Sequence, residues 1–121
     1  MYIQKKITAF RYSFKGLAIA WQEESNFIFD VIFGLLTLFF AWVFHITRTE
    51  LLIVLGMIGL VLSAETFNTA LEELCDKFEP THDPHIAKIK DLAAAAVFIT
   101  ACTAFIVGCM IFVPYLINFF S

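Results

Sequence analysis

The stretch that most constrains this chain is residues 92–117, which hold no charged side chain. A helix crossing the roughly 30 Å hydrocarbon core of a bilayer needs about 20 predominantly apolar residues. In lipid every backbone polar group must be paired internally, so an apolar run of this length forms a membrane-spanning helix. Residues 27–46 meet the same requirement with one interruption, Asp30. Residues 51–64 are uncharged but short, and reach across only if the helix continues into the polar segment that follows. Composition agrees: 60% of the 121 residues are hydrophobic and 16% charged, against about 45–50% and about 25% in soluble domains. The expected fold class is an all-α membrane protein with one domain over residues 1–121. It comprises an N-terminal amphipathic surface helix at about 3–22, spans at about 27–46, 50–76 and 90–117, and a loop at about 77–87.

Charge placement gives this architecture an orientation. Lys5, Lys6, Arg11 and Lys15 precede the first span, Arg48 alone separates the first from the second, and Lys77, Lys88 and Lys90 separate the second from the third. Under the positive-inside rule the N-terminus and the 77–87 loop are cytoplasmic and the C-terminus is outside. A net charge of −3, without a basic stripe carrying interleaved aromatics, gives no reason to expect nucleic-acid binding. The first long apolar run begins only near residue 27 and no small-residue cleavage pattern follows, so the N-terminus is expected to be retained. Cys75, Cys102 and Cys109 have no metal or disulfide spacing; Cys102 and Cys109, inside an apolar helix, are expected to be small buried residues, and Cys75 has no assigned role.

Ile3, Ile7, Phe10, Phe14, Leu17 and Trp21 are spaced by threes and fours. They form one narrow helical stripe, while Lys5, Arg11 and Lys15 point elsewhere. A helix with an apolar stripe and a basic polar face suits the cytoplasmic lipid interface. Between the first two spans, Thr47 or Thr49 can cap the second helix, with Glu50 in its first turn. Pro80 and Pro84 interrupt the next connection, and Pro114 is expected to kink or end the third span.

The chemistry concentrates where the second span turns polar. Glu65, Asn68, Glu72 and Asp76 are spaced 3, 4 and 4 and share one helix face; Glu73 lies off it. Glu65 is about 22 Å along the helix from Glu50, and Glu72 about 33 Å. The stripe therefore begins within lipid and rises into the interface. An acid at bilayer depth is costly and marks function. A carboxylate partly withdrawn from water can take a proton from a hydroxyl, and carboxylates nearer water can hold a hard cation. The structural alternative is a helix–helix polar contact made by Asn68, with Glu72 and Asp76 simply solvated. Glu24, beside Trp21, and the Lys88–Lys90–Asp91 group lie on the same membrane side. Carboxylates with lysines suggest a metal–phosphate site, in which Mg²⁺ bridges phosphate oxygens and Lys neutralises charge. No Gly-rich phosphate loop is present, so a nucleotide would bind through side chains and the metal. His82 and His85 alone are a weak zinc signal, and a loop position near a nucleotide suits them better.

These residues carry a resemblance. Tyr12-Ser13-Phe14-Lys15-Gly16-Leu17, Trp21 with Glu24, the block from Glu65 through Asn68 and Ala70 to Glu72 with Asp76, and Lys90-Asp91 followed by an Ala run match in order and spacing across nearly the whole chain. The sequence resembles the small prokaryotic diacylglycerol kinases, including their undecaprenol kinase branch. The resemblance implies a homotrimer with active sites shared between subunits at the cytoplasmic face of the bacterial inner membrane. It implies transfer of the γ-phosphoryl group of ATP to a lipid hydroxyl, with Mg²⁺. Glu65 takes the general-base position, and Glu24 and Glu72 match metal-holding carboxylates that also serve the nucleotide. Tyr12, His82, Lys90 and Asp91 match nucleotide contacts. Asn68, Asp30, Ala94 and a basic residue at Lys5 or Lys6 take lipid or supporting positions. Ala93 and Ala94 stand where diacylglycerol kinases tend to have Gly-Ser, and Asp30 where a Glu is common. The expected acceptor is therefore undecaprenol, with diacylglycerol as the alternative. A rival from another class is a non-enzymatic membrane subunit using the polar stripe for assembly or an ion path. The polar groups cluster on one membrane side only, which favours a surface reaction.

Overall fold

The structure, a computed structural model, describes residues 1–78 and 83–121. Regular structure among them is entirely helical: α1 (Tyr2–Glu23), α2 (Ser25–Val43), α3 (Arg48–Phe78) and α4 (Pro84–Phe120). The last three are long and apolar enough to cross a membrane, so the chain is an all-α membrane protein. α3 and α4, with 31 and 37 residues, are about 46 and 55 Å long. Both exceed the roughly 30 Å hydrocarbon core and overhang it. Because α2, α3 and α4 alternate in direction, the α1–α2 junction and the α3–α4 link lie at one end, the junction end. The α2–α3 turn lies at the other, the turn end.

α1 closes where the Glu24 amide donates to the Ala20 carbonyl. Glu24 then adopts an extended backbone and α2 begins at Ser25. The apolar stripe of α1 stays uncovered by protein, with Phe10 65% and Phe14 69% exposed, as an interfacial helix requires. α2 stops at Val43, three residues short of the expected boundary. The Ile46 amide bonds the Ala41 carbonyl and the His45 amide bonds the Trp42 carbonyl, with His45 at φ 51°. That is a Schellman C-cap with His45 at the left-handed position. The apolar sequence runs on, but the backbone turns.

α3 starts in a capping box. The Thr47 hydroxyl accepts from the Glu50 amide at 3.1 Å, and the Glu50 carboxylate accepts from the Thr47 amide at 2.9 Å. Of the two candidate caps, Thr47 is the one used. α3 runs to Phe78 and α4 begins at Pro84 instead of about 90, so the described parts of the expected 77–87 loop are helical apart from Asp83. Asp83 caps α4 by accepting from the His85 amide at 2.8 Å, and proline at the first helical position gives up an N–H that has no helical partner anyway. Pro114 lies inside α4 and does not end it; a spanning helix tolerates proline when its neighbours answer the freed groups.

α4 packs most extensively on α3, α2 packs on α3, and α1 packs on α2 near their junction. Gly34 permits the α2–α3 approach. A Cβ there would sit 3.2 Å from Ile58 Cγ2, tighter than side chains normally tolerate.

Candidate functional site

Phe27, Gly34 and Ala41 are the buried positions of α2. Asp30, three residues after Phe27 and four before Gly34, falls on that same face and is carried against α3. There it lies beside Glu65, and the two carboxyls are near enough to influence each other. Glu65 is 7% exposed and is the one buried polar or charged residue among those described. The charges of Glu24, at the α1–α2 junction, and Glu72, two turns further along α3, also reach it. α2, α3 and the α1–α2 junction thus bring four acids, Asp30, Glu65, Glu72 and Glu24, to the junction end. Among the described residues the single ion pair is Lys90 with Asp76, so Glu65 has no lysine or arginine partner among them. An acid at this depth without a cation is costly, which makes Glu65 the candidate for a functional role.

Asn68 lies between the two zones of the stripe. Its side-chain amide donates to Glu72 Oε1 at 3.0 Å. Its Oδ1 is buried and has no hydrogen-bond partner among the described residues. A buried acceptor left open is costly and points to a donor brought by a ligand or a neighbouring subunit. Asp76 holds the Lys90 ammonium across the α3–α4 contact, which sets that cation beside the acids.

The remaining expected site residues are dispersed. Tyr12 and Lys5 line a shallow groove on α1, and Tyr12 is about 18 Å of helix from Glu24. Since α1 packs on α2 near their junction, one protomer does not bring Tyr12 or Lys5 to the cluster. Asp91 and Ala94 are exposed, while Ala93 is the buried alanine of that run. His82 lies outside the described residues.

No three His, Cys, Asp or Glu side chains among the described residues converge tightly enough to enclose a metal ion. Glu24 and Glu72 still fit Mg²⁺, which is usually held by one or two carboxylates while phosphate oxygens and water fill the other positions. Next to the acids an apolar cleft of about 600 Å³ opens between α2, α3 and α4, with Asp30 in its wall. Two arrangements have no counterpart in the sequence reading. One is the pairing of Asp30 with Glu65, for which the spacing of Asp30 from Phe27 and Gly34 is the available signal. The other is at the turn end, where the Tyr115 hydroxyl donates to Glu50 Oε1 at 2.5 Å, a contact across 65 residues with no local signal.

A family profile described as prokaryotic diacylglycerol kinase matches residues 11–112. Undecaprenol kinase of Bacillus subtilis is 31% identical over 108 residues, covering 89% of this chain and 88% of that protein. Diacylglycerol kinase of Escherichia coli K12 is 29% identical over 105 residues, covering 87% and 86%. Diacylglycerol kinase of a Synechocystis species is 31% identical over 113 residues, covering 93% of this chain and 65% of that protein.

Proposed function

This chain belongs to the prokaryotic diacylglycerol kinase family and is a lipid kinase, and on that premise we propose that it phosphorylates undecaprenol in preference to diacylglycerol. The observation that carries the reading is Glu65, buried against Asp30 where an apolar cleft meets a cluster of acids. Lipid reaches such a place from the bilayer and a nucleotide reaches it from water. Membership of an enzyme family sets aside the non-enzymatic subunit.

Glu65 accepts the proton of the lipid hydroxyl as its oxygen bonds to the γ-phosphorus and the bond from that phosphorus to the β–γ bridging oxygen breaks, releasing ADP. Asp30 orients the Glu65 carboxyl through the contact between them. Glu24 and Glu72 would hold Mg²⁺, and the ion would supply neutralisation of phosphate charge. Asn68 fixes one Glu72 oxygen and offers its free Oδ1 to a donor. Lys90, steadied by Asp76, and Asp91 meet the nucleotide, with Tyr12 and His82 contributing further contacts. Ala94 and Lys5 belong to the lipid side. Catalysis is mostly positioning and charge neutralisation.

Tyr12 and Lys5 stand away from the acids within one protomer. This supports a homotrimer in which sites are completed between subunits. The site faces the cytoplasm of the bacterial inner membrane, with the C-terminus outside, as the distribution of Lys and Arg favours. The test offers purified protein labelled ATP, Mg²⁺ and equal undecaprenol and diacylglycerol. Label accumulating first in undecaprenyl phosphate is expected. Label chiefly in phosphatidic acid overturns the acceptor, and label in neither lipid overturns the activity.

A further inference from the structure

Asp76 is the last acid of the α3 stripe, and proton transfer to Glu65 does not need it. It follows Glu72 by four residues on the same helix face, about 6 Å further along. Its Oδ1 accepts from the Lys90 ammonium on α4. The Asp76 side chain is 64% exposed and that of Lys90 37%, and an ion pair so open to water adds little to stability. α3 and α4 already pack on each other more extensively than any other helix pair, so the pair is not needed to join them. What it changes is the lysine. A lysine ends a flexible four-carbon stem, and a free one gives up that freedom when it meets a phosphate. An ammonium carries three donors; Asp76 takes one and two remain for phosphate oxygens. The acid also has a cost, because its charge repels a nucleotide. Its placement is useful only where holding the lysine outweighs that repulsion. The stripe uses the same device one turn earlier, where the Asn68 amide holds Glu72 Oε1 at 3.0 Å.

We infer that Asp76 is a positioning residue that acts through Lys90. It holds the ammonium one helical turn from Glu72 before the nucleotide arrives, so the cation meets the transferring phosphoryl group without first having to be ordered. The inference rests on the lipid-kinase reading and adds to it the task of Asp76. Its signature is a split between kcat and KM. Loss of the anchor slows transfer, because the lysine then has to be ordered during the reaction. Loss of the negative charge removes a repulsion, so ground-state binding of ATP does not weaken.

Asp76→Ala tests it, assayed in mixed micelles with the lipid that wild type phosphorylates. The expected kcat is about 10- to 100-fold lower, with KM for Mg²⁺–ATP unchanged or lower. Asp76→Asn keeps an acceptor at the same place, and its kcat should fall between those of Asp76→Ala and wild type. In a Lys90→Ala background, Asp76→Ala should bring no further loss of kcat. An unchanged kcat overturns the inference. So does a raised KM for Mg²⁺–ATP at unchanged kcat, which makes Asp76 a nucleotide contact, and so does a full further loss without the lysine. If Asp76→Ala fails to fold, Asp76→Asn carries the same split at smaller size. An amine-reactive reagent read by mass spectrometry tests the anchor without turnover. Lys90 should react more slowly than the exposed Lys88 in wild type, and the difference should vanish in the Asp76 variants. Lys90 reactivity that ignores the substitution overturns the anchor. If wild type phosphorylates no lipid, the kinase reading fails, and the labelling still decides whether Asp76 holds Lys90.

Discussion

Glu50 and Glu65 sit on one helix, about 22 Å apart, and their surroundings are opposite. Glu50 Oε1 accepts from the Thr47 amide and from the Tyr115 hydroxyl, while the Glu50 amide donates back to Thr47. One oxygen of that carboxylate is answered twice from within the chain, and its effect is to tie the start of α3 to the end of α4. Glu65 faces Asp30, feels Glu24 and Glu72, and has no cationic partner among the described residues. Residue type does not distinguish an anchoring carboxylate from a reactive one; the donors around it do. The turn end of this bundle is complete in one protomer, and the junction end is built to receive something.

The largest effect that can break this contrast is at Glu65. Glu65→Gln keeps the shape but removes the proposed base. Initial rates of lipid phosphorylation should fall by about 10²- to 10⁴-fold, with helicity and thermal midpoint near wild type. A folded variant with wild-type rates would move the base elsewhere. Next is Glu72→Ala, which removes a proposed metal ligand and the acceptor of the Asn68 amide. KM for Mg²⁺–ATP should rise roughly 10- to 100-fold, with a shifted Mg²⁺ titration. An unchanged titration would remove Glu72 from the metal.

The two ends also differ in how far they could be read from sequence. The stripe of Glu65, Asn68 and Glu72 was legible because helical periodicity and an acid in an apolar run are both local signals. The span count was legible because lipid permits few alternatives. Less legible was Asp30. Its depth was evident, but its partner depends on how α2 crosses α3 at Gly34 and Ile58. The end of α2 was misplaced because Phe44, His45 and Ile46 extend the apolar run while the backbone folds into a cap. The start of α4 was misplaced because Pro84 reads equally as a breaker and as a first helical residue, and the Asp83 cap decides. The Glu50–Tyr115 contact joins the first turn of one helix to the last turns of another, and no periodicity encodes it.

Glu50→Ala is the counterpart of Glu65→Gln. It strands the Tyr115 hydroxyl and the Thr47 amide and frees the turn end of α4. The thermal midpoint in detergent should drop, while kcat and KM for ATP stay near wild type. A variant of normal stability that has lost activity would place function at both ends and erase the distinction.

The smallest effects lie within the turn and have opposite signs. Thr47→Ala removes the hydroxyl that accepts from the Glu50 amide, at a cost of about 1 kcal/mol. His45→Gly keeps the Schellman bonds and relieves the Cβ of a left-handed residue, which exceeds the added chain entropy of glycine by about 0.5–1 kcal/mol. Unfolding titrations in sodium dodecyl sulfate should therefore move apart for the two variants. The double variant should fall near wild type, displaced by any coupling between residues two positions apart. A destabilising His45→Gly would mean that the imidazole contributes more at this turn than its backbone strain costs, and the turn end would then hold a polar contact beyond the Glu50 network.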